Sequence, residues 1–175
     1  MRRAVFLDRD GTLNLLVPRP DGTWASPRSP AEFKLVEGVS RQVERLRSAG
    51  FLAILATNQP DVARGFLDVQ VLEAMHQELI KQAPLDGIMV CAHDDADNCL
   101  CRKPRPGMLR QAAERWEIDL PGSFMVGDSW KDMEAARAAG VKDILINAPY
   151  NQEVACSIRA ESLESACDYI LAQAR

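Results

Sequence analysis

Apolar residues along this chain fall into short runs separated by longer stretches of helical spacing. Residues 3–7 (R-A-V-F-L) form a buried run that ends at Asp8, and residues 51–56 (F-L-A-I-L-A) form a second, ending at Thr57-Asn58. Further runs lie at 86–91, 123–127 and 144–146. Each is too short for a helix and too continuously apolar for a half-exposed strand, which marks strands covered on both faces. Between them, Val39, Val43, Leu46 and Ala49 recur at helical spacing before Gly50, and Val69, Leu72, Met75, His76 and Leu79 share one helix face. The pattern predicts further helices from Pro106, over 131–139 up to Gly140, and over 161–173. Residues 14–37 carry Pro18, Pro20, Pro27 and Pro30 and read as an irregular flap.

Alternating short strands and helices predict an α/β fold, a three-layer sandwich around a central parallel sheet, formed as one domain over residues 1–175. Ligands of such sheets bind beyond the carboxyl ends of the strands. Asp8, Thr57-Asn58, a cysteine-rich loop and Asp128 each follow a strand, so four distant polar segments are expected at one edge.

The segment D-R-D-G-T at 8–12 places two carboxylates two residues apart as the chain leaves a strand. Asp8 suits a nucleophile, and Asp10 suits a group that protonates a leaving oxygen and later deprotonates water. A calcium loop also begins D-x-D, but its required Gly and Glu positions hold Leu13 and Arg19. Thr57 and Asn58 can donate hydrogen bonds to a phosphoryl oxygen. Lys103 offers a compact charge and Arg102 a planar fork. Asp128 is expected to bind a metal, with Asp132 orienting that shell or Lys103. Asp8, Asp128 and the Asp10 carbonyl would supply hard oxygens to Mg2+.

In order and spacing, these four segments resemble the haloacid dehalogenase superfamily of phosphatases over residues 5 to about 147. The resemblance implies a Rossmann-like sheet, catalysis by Asp8, Asp10 and Lys103 through an aspartyl-phosphate, phosphate binding by Thr57 and Lys103, and Mg2+ at Asp8, Asp10 and Asp128. The chain has no room for a cap domain, which implies an open cleft.

Composition narrows this further. Five cysteines include Cys91, Cys99 and Cys101, with His93 among them. C-x-H and C-x-C supply three thiolates and an imidazole, a closed tetrahedral shell for a structural Zn2+ that pins the loop 91–101. A zinc loop followed by R-K-P resembles the capless branch that contains heptose bisphosphate and histidinol-phosphate phosphatases. The A-R-G at 63–65 and R-K-P-R-P-G-M-L at 102–109 favour the former. By that resemblance Arg64 and Arg102 grip a small phosphorylated sugar. A non-catalytic zinc module would leave Asp8, Asp10, Lys103 and Asp128 without a purpose.

The net charge of −4 argues against a nucleic-acid partner. The apolar run at the N-terminus stops after four residues, so neither a signal peptide nor a membrane partner is expected, and the expected setting is a cytoplasmic monomer. Trp116, Trp130 and His76 are expected to pack, and Cys156 and Cys167 to be ordinary thiols.

Overall fold

The computed structural model describes residues 1–173. Six parallel strands form one sheet in the order β5-β4-β1-β6-β7-β8: β1 (Ala4–Leu7), β4 (Leu52–Asn58), β5 (Gly87–Cys91), β6 (Phe124–Gly127), β7 (Lys142–Ile146) and β8 (Ile158–Ala160). Five helices alternate with them: α1 (Val39–Ser48), α2 (Val69–Gln82), α3 (Gly107–Trp116), α4 (Trp130–Ala139) and α5 (Leu163–Ala172).

Side chains on successive strand residues point to opposite faces, which builds two cores. Val5, Leu7, Ala53, Leu55 and Val126 meet Val43 and Leu46 of α1 and Ala166 and Ile170 of α5. Ala4, Phe6, Leu52, Ile54 and Met125 meet Met108, Leu109 and Ala112 of α3 and Ala136 of α4. The expected helix–sheet–helix sandwich is therefore present.

Helix starts follow local chemistry. The Asp68 carboxylate accepts the Gln70 amide at the start of α2, and Ser129 and Asp132 cap each other at the start of α4. Gly50 and Gly140 take left-handed φ angles of 88° and 76° where α1 and α4 end.

Two elements depart from the sequence reading. The flap holds a minimal antiparallel pair, β2 (Val17–Pro18) with β3 (Trp24–Ala25). β8 is also new: its three residues, Ile-Arg-Ala, are too few to show a period. It adds to β7 at an edge, where Arg159 can face outward. Among the described residues no helix is long and apolar enough to cross a membrane.

The chain builds outward from β1 in one direction through β4 and β5, then returns to lay β6, β7 and β8 on the other side. β1 is thus flanked by β4 and β6, and the carboxyl ends of these three strands meet where the strand order reverses.

Candidate active site

Asp8 leaves the end of β1, and its amide donates to the Val126 carbonyl at 2.9 Å, which sets it beside the end of β6. Asp128 follows β6, and Thr57 and Asn58 end β4. Lys103 arrives from the loop after β5 and is 2% exposed. Its ammonium donates to Asp8 Oδ1 at 2.8 Å and to the Ala56 carbonyl at 2.7 Å, and it also pairs with Asp132 Oδ1. The other oxygen of Asp132 accepts from Ser129 N at 3.1 Å and Ser129 Oγ at 2.6 Å. Asp132 therefore caps α4 and anchors Lys103 with one carboxylate. Gly127 makes this possible, because a Cβ there would run into the Asp132 carboxyl group.

Asp8, Asp128 and Asp132 each present a carboxylate oxygen within 4.8 Å of the others. Burial pushes the Asp8 carboxyl well above its usual range, Lys103 opposes that shift, and Asp132, Asp128 and Asp10 add to it. Burial also lifts Asp128 to about 7, with Asp132 adding and the Tyr150 hydroxyl opposing. For Lys103, burial disfavours the charge, but Asp132 and Asp8 outweigh it and hold the ammonium above its ordinary value.

Asp8, Asp10, Asp128 and Asp132 are buried with Arg9 and Lys103, and the buried Arg102 on the same cleft wall is spent on Asp95, so with every acid charged the four aspartates would carry an excess of two negative charges. Hard oxygens with that excess fit a divalent cation such as Mg2+, which would offset the burial that disfavours the charged forms of Asp8 and Asp128.

Asp10 lines the same cleft outside that trio. Its Oδ1 accepts from Arg9 Nε at 3.1 Å and Asn14 Nδ2 at 3.0 Å, and its Oδ2 from Gln59 Nε2 at 2.7 Å. Gln59 Nε2 also donates to Thr57 Oγ1 at 2.9 Å, leaving the threonine proton unspent. Arg9 is fully buried and reaches His76 Nε2 at 3.2 Å. Arg9 and Asn14 were not among the expected site residues, since an Arg between two acids and an Asn in a turn carry no distinctive signal.

The remaining expected residues divide. Asn58 lines the cleft, but its amide grips the Lys103 backbone at both ends, donating to the carbonyl at 2.9 Å and accepting from the amide at 3.0 Å. Arg102 reaches the cleft wall while its Nε donates to Asp95 Oδ1 at 2.6 Å. Arg64 is not among the residues lining the cleft: its guanidinium forms a fork with Asp94, at 2.8 and 2.7 Å. The carboxylate on the neighbouring loop outcompetes open solvent for it.

Trp130 also departs from expectation. It stays 47% exposed and lines the cleft with Trp24, Leu16 and Pro60, because the first residue of α4 projects past the strand ends instead of onto the core. The cleft encloses about 370 Å³. His76 and Trp116 pack as expected, Trp116 against Gly87, and Cys167 is a buried free thiol.

Ligand atoms of Cys91, His93, Cys99 and Cys101 converge within 4.8 Å of one another. Cys101 Sγ lies 3.2 Å from Cys91 Sγ and 3.3 Å from Cys99 Sγ, and His93 Nδ1 lies 3.4 Å from Cys101 Sγ. These separations are far beyond a disulfide bond, and all the cysteines are free. They approach the edge lengths of a tetrahedron with metal–sulfur bonds of about 2.3 Å. The donor set fits Zn2+.

With this geometry in view, the relatives can be compared. A family model described as HAD-hydrolase-like matches residues 100–153. A D-glycero-β-D-manno-heptose-1,7-bisphosphate 7-phosphatase of Pseudomonas aeruginosa is 39% identical over 150 residues, covering 83% of this chain and 81% of the relative. Its counterpart in Bordetella bronchiseptica is 37% identical over 149 residues, covering 82% and 80%. The crystal structure of D,D-heptose 1,7-bisphosphate phosphatase from B. bronchiseptica, complexed with magnesium and phosphate, superposes with a TM-score of 0.85. The match covers 98% of this chain and 99% of that one at 31% identity. The chain belongs to the heptose-bisphosphate phosphatase family of haloacid dehalogenase-like hydrolases.

Proposed function

We propose that this enzyme hydrolyses the C7 phosphate of D-glycero-D-manno-heptose 1,7-bisphosphate with Mg2+ as cofactor. The observation that carries the reading is the convergence of Asp8, Lys103 and Asp128 in a chain 39% identical to a phosphatase named for that substrate.

Asp8 attacks phosphorus and becomes an acyl phosphate, while Asp10 gives its proton to the departing sugar oxygen. Asp10 then takes a proton from water as that water attacks the same phosphorus, and the Asp8–phosphorus bond breaks to release inorganic phosphate. Arg9, Asn14 and Gln59 fix the direction in which Asp10 presents its carboxyl group. Lys103 steadies Asp8 and, with the Thr57 hydroxyl, faces the charge gathering on the phosphoryl oxygens. Asp8, Asp128 and the Asp10 carbonyl would hold Mg2+, which when bound offsets phosphate charge so that an anionic nucleophile can approach.

The cluster of Cys91, His93, Cys99 and Cys101 would hold a structural Zn2+. It would pin the 91–101 loop and with it Arg102, placed to meet the distal phosphate or a sugar hydroxyl. Residues 1–175 act as one domain with residues 14–37 as its flap, and the enzyme works as a cytoplasmic monomer without nucleic-acid or membrane partners. Trp24 and Trp130 give the cleft two aromatic walls suited to a sugar face.

Histidinol phosphate is the alternative substrate, because the zinc loop is common to both branches. Initial rates on both anomers of the heptose bisphosphate, other sugar bisphosphates and histidinol phosphate, at saturating Mg2+, separate the two. The heptose bisphosphate is expected to give the highest kcat/KM, and a clear preference for histidinol phosphate would overturn the sugar assignment.

A further inference from the structure

The loop after β7 reaches Asp128. Ala148 N donates to Asn151 Oδ1 at 2.9 Å, closing a tight turn over residues 148–151. Asn151 Nδ2 donates in turn to the Asp128 carbonyl at 2.7 Å and the Ile146 carbonyl at 2.8 Å. Asn151 is 2% exposed, so the turn is strapped to the Asp128 backbone from within. That strap carries Tyr150, whose hydroxyl donates to Asp128 Oδ2 at 2.5 Å.

Gly11 closes the remaining side of the same oxygen. A Cβ on Gly11 would run into Asp128 Oδ2 and would sit 3.0 Å from Tyr150 Oη. Gly11 has a φ of 79°, so the position disfavours any side chain. One oxygen of Asp128 is therefore walled by glycine backbone and occupied by a phenol. Among the described residues no hydrogen bond reaches the other, Oδ1.

We infer that Tyr150 is a positioning residue that restricts Asp128 to one free carboxylate oxygen and thereby selects Mg2+ over Ca2+. The inference rests on the magnesium reading proposed above and adds the residue that sets ion selectivity. Mg2+ takes six ligands in a near-ideal octahedron, and a carboxylate bound through a single oxygen suits it. Ca2+ takes six to eight ligands and readily uses both oxygens of one carboxylate. A hydrogen bond that keeps Oδ2 occupied removes the second option. Without the phenol, the carboxylate gains rotational freedom, which costs Mg2+ its fixed ligand and gives Ca2+ a two-oxygen grip. None of the family motifs in the sequence marks this residue, because it lies in a loop of Asn-Ala-Pro-Tyr-Asn.

The test is calorimetric titration of Mg2+ alone and of Ca2+ alone into wild type and Tyr150→Phe, purified without chelator, with melting temperatures recorded in parallel. Tyr150 is 50% exposed, so the phenylalanine variant keeps its packing and folds. Outer-shell partners of metal ligands typically carry about 10–100-fold in affinity. The expected result is a Mg2+ dissociation constant raised about tenfold or more, with Ca2+ binding unchanged or tighter, so the preference for Mg2+ narrows by at least that factor. A structural role alone would weaken both ions equally, and an unchanged preference, with or without a lower melting temperature, overturns the inference. Wild type that binds Mg2+ without any preference over Ca2+ also overturns it. Wild type that binds neither ion removes the magnesium reading itself, a failure visible before any variant is made.

Discussion

Lys103 Nζ donates to Asp8 Oδ1 at 2.8 Å, joining two residues 95 positions apart in the chain. Both are buried, and the same ammonium holds Asp132. Removing one partner of a buried ion pair typically costs about 3–5 kcal/mol, because the other charge is left without compensation. Lys103→Met is expected to lose about that much stability in chelator-treated protein, measured by urea denaturation. Added Mg2+ should restore more stability to the variant than to wild type, since it replaces the missing positive charge. A variant as stable as wild type without Mg2+ would show that the carboxylates are protonated and that the ion pair contributes little.

Asp8→Asn separates the nucleophile from the scaffold around it. Asparagine keeps the shape and still accepts from Lys103 through its carbonyl oxygen, but it cannot form an acyl phosphate. The expected outcome is a fall in kcat of at least about a thousandfold with the melting temperature little changed or raised. The direction of the stability change follows from burial, which already penalises the charged form of Asp8. Trapping of covalent phosphate on wild type, and its absence on the variant, gives a second readout. A variant that retains half of the wild-type rate would remove Asp8 from the mechanism.

The layered fold and most of the site were legible because each strand is a short apolar run and each chemical group follows one. Asp8, Thr57 and Asp128 are read directly from strand ends, and the thiol cluster from its spacing. Partnerships were less legible. Nothing local says that Arg64 turns to Asp94, or that Asn58 spends its amide on the Lys103 backbone, because both partners come from loops that only the folded chain brings near. Trp130, just before the helix expected over 131–139, read as a packing residue. Its exposure depends on how far α4 extends beyond the sheet edge, which periodicity does not encode. Tyr150 and Asn151 sit in a turn with no period at all, and their contacts with Asp128 emerge only in three dimensions.

Zinc at the cysteine loop should contribute stability without taking part in the chemistry. Burial and the neighbouring thiols push Cys91 up to about 12, so in the absence of a metal that thiol stays protonated, whereas binding a metal would deprotonate it. Elemental analysis is expected to find about one zinc per chain. Cys99→Ser should lower the melting temperature and raise KM more than it lowers kcat, since the loop carries Arg102 to the cleft wall while Lys103 is held separately by Asn58, Asp8 and the Ala56 carbonyl, and Asp8 directly follows β1. Loss of zinc with no change in melting temperature or KM would remove the loop's proposed role. A collapse of kcat at unchanged KM would instead place the zinc close to the reacting phosphate.

His76 makes folding sensitive to acid. Burial, reinforced by the Arg9 guanidinium and only weakly opposed by Asp10, lowers its pKa from 6.5 to about 4. The unfolded chain therefore takes up this proton before the folded one does. The stability held above pH 6.5 must fall as pH drops through the window from 6.5 to about 4, and level off below it. A shift of this size corresponds to about 3 kcal/mol, of which most is lost by pH 4.5. His76→Gln keeps a polar side chain beside Arg9 but does not titrate. Urea denaturation at pH 7.5 and 4.5 should show wild type losing about 2–3 kcal/mol more than the variant across that interval. Carboxylates elsewhere titrate equally in both proteins and cancel in the comparison. Equal losses in the two would mean that the imidazole takes up its proton at the same pH in the folded chain as in the unfolded one, and that Arg9 tolerates a second positive charge at its side.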